Sequence, residues 1–85
     1  MATTSQVTIY KDVWTLLSTA VSGTVENQTG ERIKINFAAS LPAPSVVAGH
    51  VLAASESTQY NVNAGNVYAR IADATISTGP VVITV

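Results

Sequence analysis

The clearest alternation of apolar and polar positions lies in residues 23–37, GTVENQTGERIKINF. Its second half alternates at every step, in the order Arg32, Ile33, Lys34, Ile35, Asn36, Phe37. Because successive side chains of a strand point to opposite faces, this order predicts a strand with one apolar and one charged face. We expect residues 23–27 to form the partner strand and residues 28–31 the turn, with Gly30 at positive φ. The pattern therefore predicts a β-hairpin over which the rest of the chain packs.

Other segments have the alternation or the β-branched and aromatic content of short strands. They are residues 7–10, 13–21, 51–54, 59–63, 67–71, 74–77 and 81–85. In residues 13–21, Asp12 could also cap a short helix, but the β-branched content and the nearby Gly23 favour a strand. The uncharged segment 81–85, VVITV, has to be paired inside a sheet or at a subunit contact, because an exposed strand of this kind aggregates.

The connections between these segments carry turn residues. Residues 55–57 and 64–66 read as turns, and residues 78–80, Thr-Gly-Pro, read as a break before the last strand. Residues 38–49 contain Pro42 and Pro44 and are predicted to form an ordered loop that can carry the chain from one sheet to the other. Strands at this spacing predict an all-β fold, a small single-domain antiparallel β-sandwich or partly open barrel of seven to eight short strands. We assign residues 7–85 to that domain and residues 1–6 to a flexible N-terminal arm that can order on binding.

The hairpin pattern also predicts which side chains meet. We expect an inter-sheet core made of Ile33, Ile35, Phe37, Val67, Ala69, Ile71, Val81 and Ile83. Arg32 and Lys34 should lie on the outer face, with Glu26 and Glu31 nearby. This is the most charged region of the chain, so it is predicted to be exposed to solvent.

Composition adds a reason to expect association. Charged residues make up 11% of the chain and apolar residues 47%, whereas about 25% of the residues in typical soluble domains are charged. The chain has no cysteine that could add a disulfide, and small domains without such links often gain stability by associating. A weakly charged surface suits burial in an oligomer or a larger assembly, and a weakly charged monomer is the alternative.

Charge and hydropathy argue against two kinds of partner. The net charge is −1, and the four basic residues, Lys11, Arg32, Lys34 and Arg70, are scattered along the sequence. The sequence therefore predicts no nucleic-acid binding. The N-terminus has no positively charged region followed by an apolar one, so we expect no secretory signal and synthesis in the cytoplasm. The longest weakly polar run, residues 46–54, is too short to cross a bilayer, so we expect no membrane association.

No constellation of catalytic residues stands out. His50 is the one histidine, and without a second histidine or a cysteine it predicts a residue of a loop or a strand end. Glu26 and Glu31 could approach each other, but at an exposed turn they favour solubility or ion pairing over glycoside hydrolysis. Asn27-Gln28-Thr29 matches the glycosylation tripeptide, which has no meaning without an export signal. We predict no catalytic residue, no cofactor and no metal.

The aromatic residues are candidates for binding. Tyr10, Trp14, Phe37, Tyr60 and Tyr68 could form a platform for sugar stacking, although packing in the core or an interface explains them more simply. Tyr68 and Arg70 fall on the same outward face of one predicted strand, and tyrosine and arginine are common at interface hot spots. Interface residues are therefore predicted at Tyr68, Arg70, Tyr60 and Trp14, with cross-strand packing as the alternative role.

The order of segments resembles a known group of proteins. A tryptophan-containing strand is followed by VENQTG, LPAP, GHVLAASES and VYARIAD. Over residues 13–85 this order resembles small structural proteins of tailed bacteriophage particles, which are β-sandwich modules on heads or tails. The resemblance implies a non-enzymatic virion component and supplies no catalytic residues.

We therefore expect a structural protein of a phage virion. The leading hypothesis is a capsid decoration or cement protein that binds neighbouring subunits of the major capsid protein as a homo-oligomer, for example a trimer. The alternative in the same particle is a tail, baseplate or fibre accessory protein. An alternative of another class is a small carbohydrate-binding module that uses Trp14 or the tyrosines.

Overall fold

Two antiparallel sheets of four strands each make up the fold. The computed structural model describes residues 3–61, 65–72 and 76–85, and these contain no helix. Sheet A has the strand order β1-β8-β3-β6 and sheet B the order β2-β7-β4-β5. The strands are β1 (Thr4–Tyr10), β2 (Thr15–Ser18), β3 (Ser22–Asn27), β4 (Ile33–Ala38), β5 (His50–Leu52), β6 (Ser57–Asn61), β7 (Asn66–Ile71) and β8 (Thr78–Thr84). This confirms the predicted all-β sandwich of short strands.

The core lies between the sheets and contains the residues that alternation predicted. Seven of the eight expected side chains are at most 2% exposed: Ile33, Ile35, Val67, Ala69, Ile71, Val81 and Ile83. Phe37 is partly buried and packs against them. The same cluster also includes Ile9, Leu17, Val25, Leu52 and Tyr60. The period-two pattern therefore identified the inward face of β4, β7 and β8.

The predicted hairpin of residues 23–37 is wrong in its pairing. β3 lies in sheet A between β8 and β6, whereas β4 lies in sheet B between β7 and β5. Residues 28–31 do form the turn, with Gly30 at a φ of 84°, but they carry the chain across the core as a β-arch. Val25 and Ile35 both face the core. The alternation of apolar and polar residues is the same for two strands paired in one sheet and for two strands that face each other across the core, so it could not distinguish a hairpin from an arch.

The structure confirms an ordered loop at residues 38–49, but the predicted change of sheet is wrong. We expected this loop to change sheets, but β4 and β5 are antiparallel neighbours in sheet B, with Ile33 opposite Leu52 and Ile35 opposite His50. Among the eight described strands, this is the one step at which consecutive strands stay in the same sheet. The loop folds back over the outer face of sheet B, where side chains of that sheet bind its carbonyl groups.

The ends of sheet A differ from prediction as well. β1 begins at Thr4, so residues 4–6 of the predicted arm pair with β8, and Thr3 exchanges backbone hydrogen bonds with Val85. Residues 78–80 do not break the last strand but begin it. The Pro80 carbonyl accepts a hydrogen bond from the Gln28 amide. The Pro80 nitrogen therefore also faces away from β1, and its missing N–H leaves the β1–β8 ladder intact. The final VVITV segment is paired in the sheet, as predicted.

The ambiguous segment 13–21 forms a strand, but a shorter one than predicted. β2 covers Thr15–Ser18, and its register with β7 shifts between Leu16 and Ser18. The irregularity marks a β-bulge, and Leu17 within it is buried in the core. In the segments predicted at 59–63, 64–66 and 74–77, residues 62–64 and 74–75 lie outside the described residues.

Candidate functional site

The outer face of sheet B carries a second buried cluster beneath the loop that joins β4 to β5. We call residues 39–49 the proline loop. Trp14 and Tyr68 are only 3% and 4% exposed, yet neither belongs to the core between the sheets. A Cβ atom built on Gly49 would lie 3.2 Å from the Trp14 ring. The proline loop therefore passes close over the indole and shields it from solvent.

Arg70 and Trp14 hold the middle of the proline loop. The Trp14 Nε1 donates to the Val46 carbonyl at 2.8 Å. Arg70 Nη1 donates to the Pro44 carbonyl at 2.8 Å and to the Val46 carbonyl at 3.2 Å. Its Nη2 donates to the Lys11 carbonyl at 2.9 Å. The guanidinium carbon lies 5.5 Å from the centre of the Trp14 ring, within the range of a cation–π interaction.

Two residues of β4 hold the end of the proline loop in the same way. Lys34 Nζ donates to the Val47 carbonyl at 2.7 Å, and Asn36 Nδ2 donates to the Ala48 carbonyl at 3.1 Å. The loop has few backbone partners of its own, so these side chains satisfy carbonyl groups that a strand would pair. The polar residues that alternation placed on the outer face of β4 thus order the proline loop.

The ordered loop presents apolar side chains to solvent. Leu41 is 62% exposed and Val47 60% exposed, and Val46 is also exposed. Val51, on β5 beside Lys34 in the sheet, is 57% exposed. Single exposed apolar residues are ordinary, but several on one fixed loop and its neighbouring strand are typical of a contact surface. We call these four residues the apolar patch.

A cleft of about 260 Å³ lies beside this patch. It is lined by Lys11, Asp12, Lys34, Val47, Arg70, Ile71 and Ala72. Lys34 and Arg70 are direct neighbours across β4 and β7, and Lys11 approaches from the end of β1. The sequence suggested that the basic residues are scattered, but the fold brings three of the four to one place. We call this the basic cleft.

Three of the four predicted interface residues come together. Trp14, Tyr68 and Arg70 lie on the outer face of sheet B, where Trp14 and Arg70 donate hydrogen bonds to the proline loop. Tyr60 lies on β6 of the other sheet and packs into the core. The aromatic rings of Trp14, Tyr60 and Tyr68 are buried within the chain, so they pack against other parts of the same chain in this structure. The role of these residues in binding a partner stays a prediction.

A second cleft opens between the edge strands β5 and β6. It has a volume of about 300 Å³ and includes the rings of Phe37, His50 and Tyr60. The Phe37 ring lies 5.9 Å from His50 and 5.8 Å from Tyr60. The Tyr60 hydroxyl is buried and has no hydrogen-bond partner in the described structure. Because that oxygen is closed off from solvent, a molecule in the cleft could not reach it without movement of the ring.

Asn27 is a structural residue that sequence reasoning missed. It is fully buried, and its Nδ2 donates to the carbonyls of Glu31, Leu52 and Ala53 at 2.6, 3.1 and 3.1 Å. Its Oδ1 accepts from the amide and the hydroxyl of Thr29 at 2.9 and 2.7 Å. The Asn-x-Thr tripeptide is therefore a side-chain-stabilised turn, and the preference of Asn for such turns was the available signal.

The remaining candidates form no chemical centre in the part of the chain that is described. His50 begins β5, which confirms its prediction as a strand-end residue, and Glu56 binds the Ala53 amide through its carboxylate at 2.8 Å. Residues 3–61, 65–72 and 76–85 contain no group of three or more acidic, histidine or cysteine side chains that could hold a metal ion. They also include no helix long and apolar enough to cross a membrane.

Comparisons with known proteins add no relative. No protein-family model matches the chain, and no curated protein or solved structure matches it.

Proposed function

We propose that this protein is a non-enzymatic structural component of a tailed bacteriophage particle and acts by binding other virion proteins. Its favoured place is the head, where it would decorate or cement the capsid by contacting neighbouring subunits of the major capsid protein. The setting comes from the resemblance of VENQTG, VYARIAD and the segments between them to phage structural proteins. The binding role is supported by the surface of sheet B.

The observation that carries this proposal is an ordered loop with exposed apolar side chains. Five side chains, those of Trp14, Lys34, Asn36, Asn66 and Arg70, donate hydrogen bonds to the proline loop. The loop nevertheless presents Leu41 and Val47 to solvent. A loop held in one conformation loses little conformational entropy on binding. Burial of its apolar side chains then contributes to affinity at each copy, and many copies on a symmetric particle multiply a modest contact.

A tail, baseplate or fibre accessory protein is the second candidate, since the same surface would serve there. The carbohydrate-binding hypothesis has less support. Sugar stacking needs the exposed face of an aromatic ring, whereas Trp14, Tyr60 and Tyr68 are buried and Tyr10 is the one exposed tyrosine. Binding to a glycan array by the purified chain would restore this hypothesis.

Quantitative mass spectrometry and immunogold labelling of purified phage particles from the source of the sequence test the setting. A decoration protein should be present in many copies that scale with the number of capsid subunits, and the label should lie on heads. A few copies per particle, with the label confined to tails, would favour the tail accessory protein over the head decoration protein. Absence from purified particles that contain their other structural proteins would overturn the proposal.

A matched pair of variants tests the surface. Val47→Ser changes the apolar patch, and Val21→Ser makes the same change at a residue that is 52% exposed outside the proline loop. Val47→Ser should weaken attachment to particles from which the native protein has been removed, and Val21→Ser should bind like the unchanged chain. Equal binding by both variants would mean that the apolar patch is not the contact.

The oligomeric state is a separate measurement. We propose that the chain forms a closed homo-oligomer, for example a trimer. Size-exclusion chromatography with light scattering should give one mass at a multiple of 8.8 kDa that does not change on moderate dilution. A monomer at all concentrations would remove the homo-oligomer from the proposal while leaving the binding role to the particle experiment.

A further inference from the structure

The basic cleft concentrates positive charge on a chain whose net charge is −1. Its lining contains three cationic groups, on Lys11, Lys34 and Arg70, and one carboxylate, on Asp12, so the formal charge of the lining is +2. Lys34 and Arg70 face each other directly across two strands, an arrangement in which like charges repel. Since the whole chain has a net charge of −1 and the lining +2, the residues outside the lining are negative in sum. The cleft is therefore a local region of positive potential.

Within the described residues, the hydrogen-bond partners of these cations do not neutralise them. The hydrogen-bond acceptors found for Lys34 and Arg70 are the carbonyl oxygens of the proline loop and of Lys11. Carbonyl groups carry no net charge. The Lys34 ammonium group has three N–H donors, and one of them is hydrogen-bonded, to the Val47 carbonyl. Within the described residues, the Lys11 ammonium makes no hydrogen bond or ion pair. Donors and charge are therefore available to an anion in the cleft.

The surroundings of the cleft indicate what kind of anion fits. Val47 lines the cleft and Val51 lies beside Lys34 on the neighbouring strand, and both side chains are more than half exposed. A ligand that places an anionic group in the cleft would thus touch Val47, and its neighbouring groups would lie near Val51 beside Lys34. We propose that the basic cleft binds an aspartate or glutamate side chain of a partner protein whose neighbouring apolar residues cover Val47 and Val51.

A nucleic acid fits these observations less well. Binding to its backbone takes several cations arranged along a stripe, and here three cations converge on one cleft that also contains Asp12. A phosphate backbone also offers no apolar surface to the exposed valines. The inference rests on the proposed protein-binding function. It adds that the group of the partner protein that enters the basic cleft is negatively charged.

Titration of short peptides into the isotope-labelled full chain, followed by the shifts of backbone amide NMR signals, tests this inference. The probes are Ac-Val-Glu-Val-NH₂ and Ac-Val-Gln-Val-NH₂, which differ in one charge. The glutamate peptide should shift the amides of Lys34, Val47, Arg70 and Ala72. It should bind about threefold or more tightly than the glutamine peptide, as expected for a partly exposed charge pair.

Two variants of equal charge locate the effect. Lys11→Met removes an ammonium group that has no partner within the described chain, so folding should be preserved, and it should weaken binding of the glutamate peptide about threefold. Arg32→Met removes the same charge outside the cleft lining and should change binding less than about twofold. Circular dichroism confirms that both variants are folded. Lys34→Met provides a second variant within the cleft.

Several results would overturn the inference. These are equal affinity for the two peptides, equal losses in Lys11→Met and Arg32→Met, or shifts confined to another surface. Tighter binding of a short oligothymidylate than of the glutamate peptide would assign the cleft to a nucleic acid. If Lys11→Met instead dissociates a homo-oligomer, the occupant is an acidic side chain of a second copy.

Failure of this inference and failure of the proposed function can be told apart. The peptide titration uses the isolated chain and reports only on the basic cleft. A chain that fails to bind the glutamate peptide but is abundant on purified particles keeps its structural role and loses the carboxylate contact. A chain that binds the peptide but is absent from particles loses the phage setting alone.

Discussion

Asn27 should be among the most costly positions to substitute. Its side chain takes part in five hydrogen bonds at a fully buried site between the β3–β4 arch and the start of the β5–β6 connection. The amide group has two hydrogens for three carbonyl acceptors, so at least one hydrogen is shared. The backbone supports the same junction, because Asn27 and Glu56 are linked through the Asn27 amide at 2.9 Å.

The expected cost follows from these bonds. Each hydrogen bond contributes about 0.5–1.5 kcal/mol net, and buried groups left without a partner cost about 1–3 kcal/mol. Asn27→Ala removes the side-chain partner of three carbonyls, one amide and one hydroxyl at once, so we expect a loss of about 3–5 kcal/mol. A chain of this length has a total stability of roughly 4–13 kcal/mol, so the variant should be close to unfolding.

Urea unfolding followed by tryptophan fluorescence and circular dichroism measures this loss. Asn36→Ala is the matched control, because Asn36 donates one bond to the Ala48 carbonyl at a partly exposed site, and it should cost about 0.5–1 kcal/mol. If Asn27→Ala costs less than about 1 kcal/mol, or no more than Asn36→Ala, then the buried amide does not hold the two connections together and the reasoning is refuted.

Asn27→Asp separates hydrogen bonding from the loss of volume. The side chain keeps its shape but turns a carboxylate toward three carbonyl oxygens, which raises the pKa of the introduced group in the folded state. The folded variant then binds more protons than the unfolded one, so stability relative to the unchanged chain should rise as pH falls from about 7 to about 5. A pH-independent cost would indicate that the carboxylate escapes to solvent.

Four further substitutions have expected outcomes. Arg70→Met keeps the apolar stem but removes the hydrogen bonds to the proline loop, so it should cost about 1–2 kcal/mol and speed amide hydrogen exchange within the loop; unchanged exchange would show that the loop is held without the guanidinium. Gly79→Ala would place a Cβ atom 2.7 Å from the Thr29 side chain and should lower stability by about 2 kcal/mol or more. Gly30→Ala meets no atom within 4 Å but has a positive φ, so a cost of about 1 kcal/mol is expected; thermal unfolding ranks the two, and the reverse order would contradict the packing around Gly79. Tyr60→Phe removes a buried hydroxyl with no partner and should leave stability unchanged or raise it, whereas a loss above about 1 kcal/mol in urea unfolding would reveal a hydrogen bond to that oxygen.

The alternation of side chains predicted the faces of the strands but not their neighbours. Ile33 and Ile35 were expected in the core and are there, because the direction of a side chain is a local property of an extended backbone. The partners of β4 are β5 and β7, and β7 is far along the chain. Nothing local distinguishes a turn between paired strands from an arch between facing ones, so the hairpin of residues 23–37 was the wrong choice.

The candidate surface depends even more on distant residues. Lys11, Lys34 and Arg70 are separated by more than twenty positions at each step, so their convergence follows from the order of strands in sheet B and from the position of the end of β1. The proline residues did indicate an ordered loop at residues 38–49. Its path over Trp14 depends on hydrogen bonds from Trp14, Lys34, Asn36 and Arg70 that become possible only after those strands are side by side.

The position of β8 has a consequence for how the chain folds during its synthesis. β8 lies between β1 and β3 in sheet A, and it is made after the seven other strands. Until it is present, β1 has no neighbour in its sheet, and β3 has only β6. Folding therefore depends on contacts between residues far apart in the chain, which slows it. We expect nascent chains that lack residues 78–84 to stay unfolded and to need protection of their apolar segments.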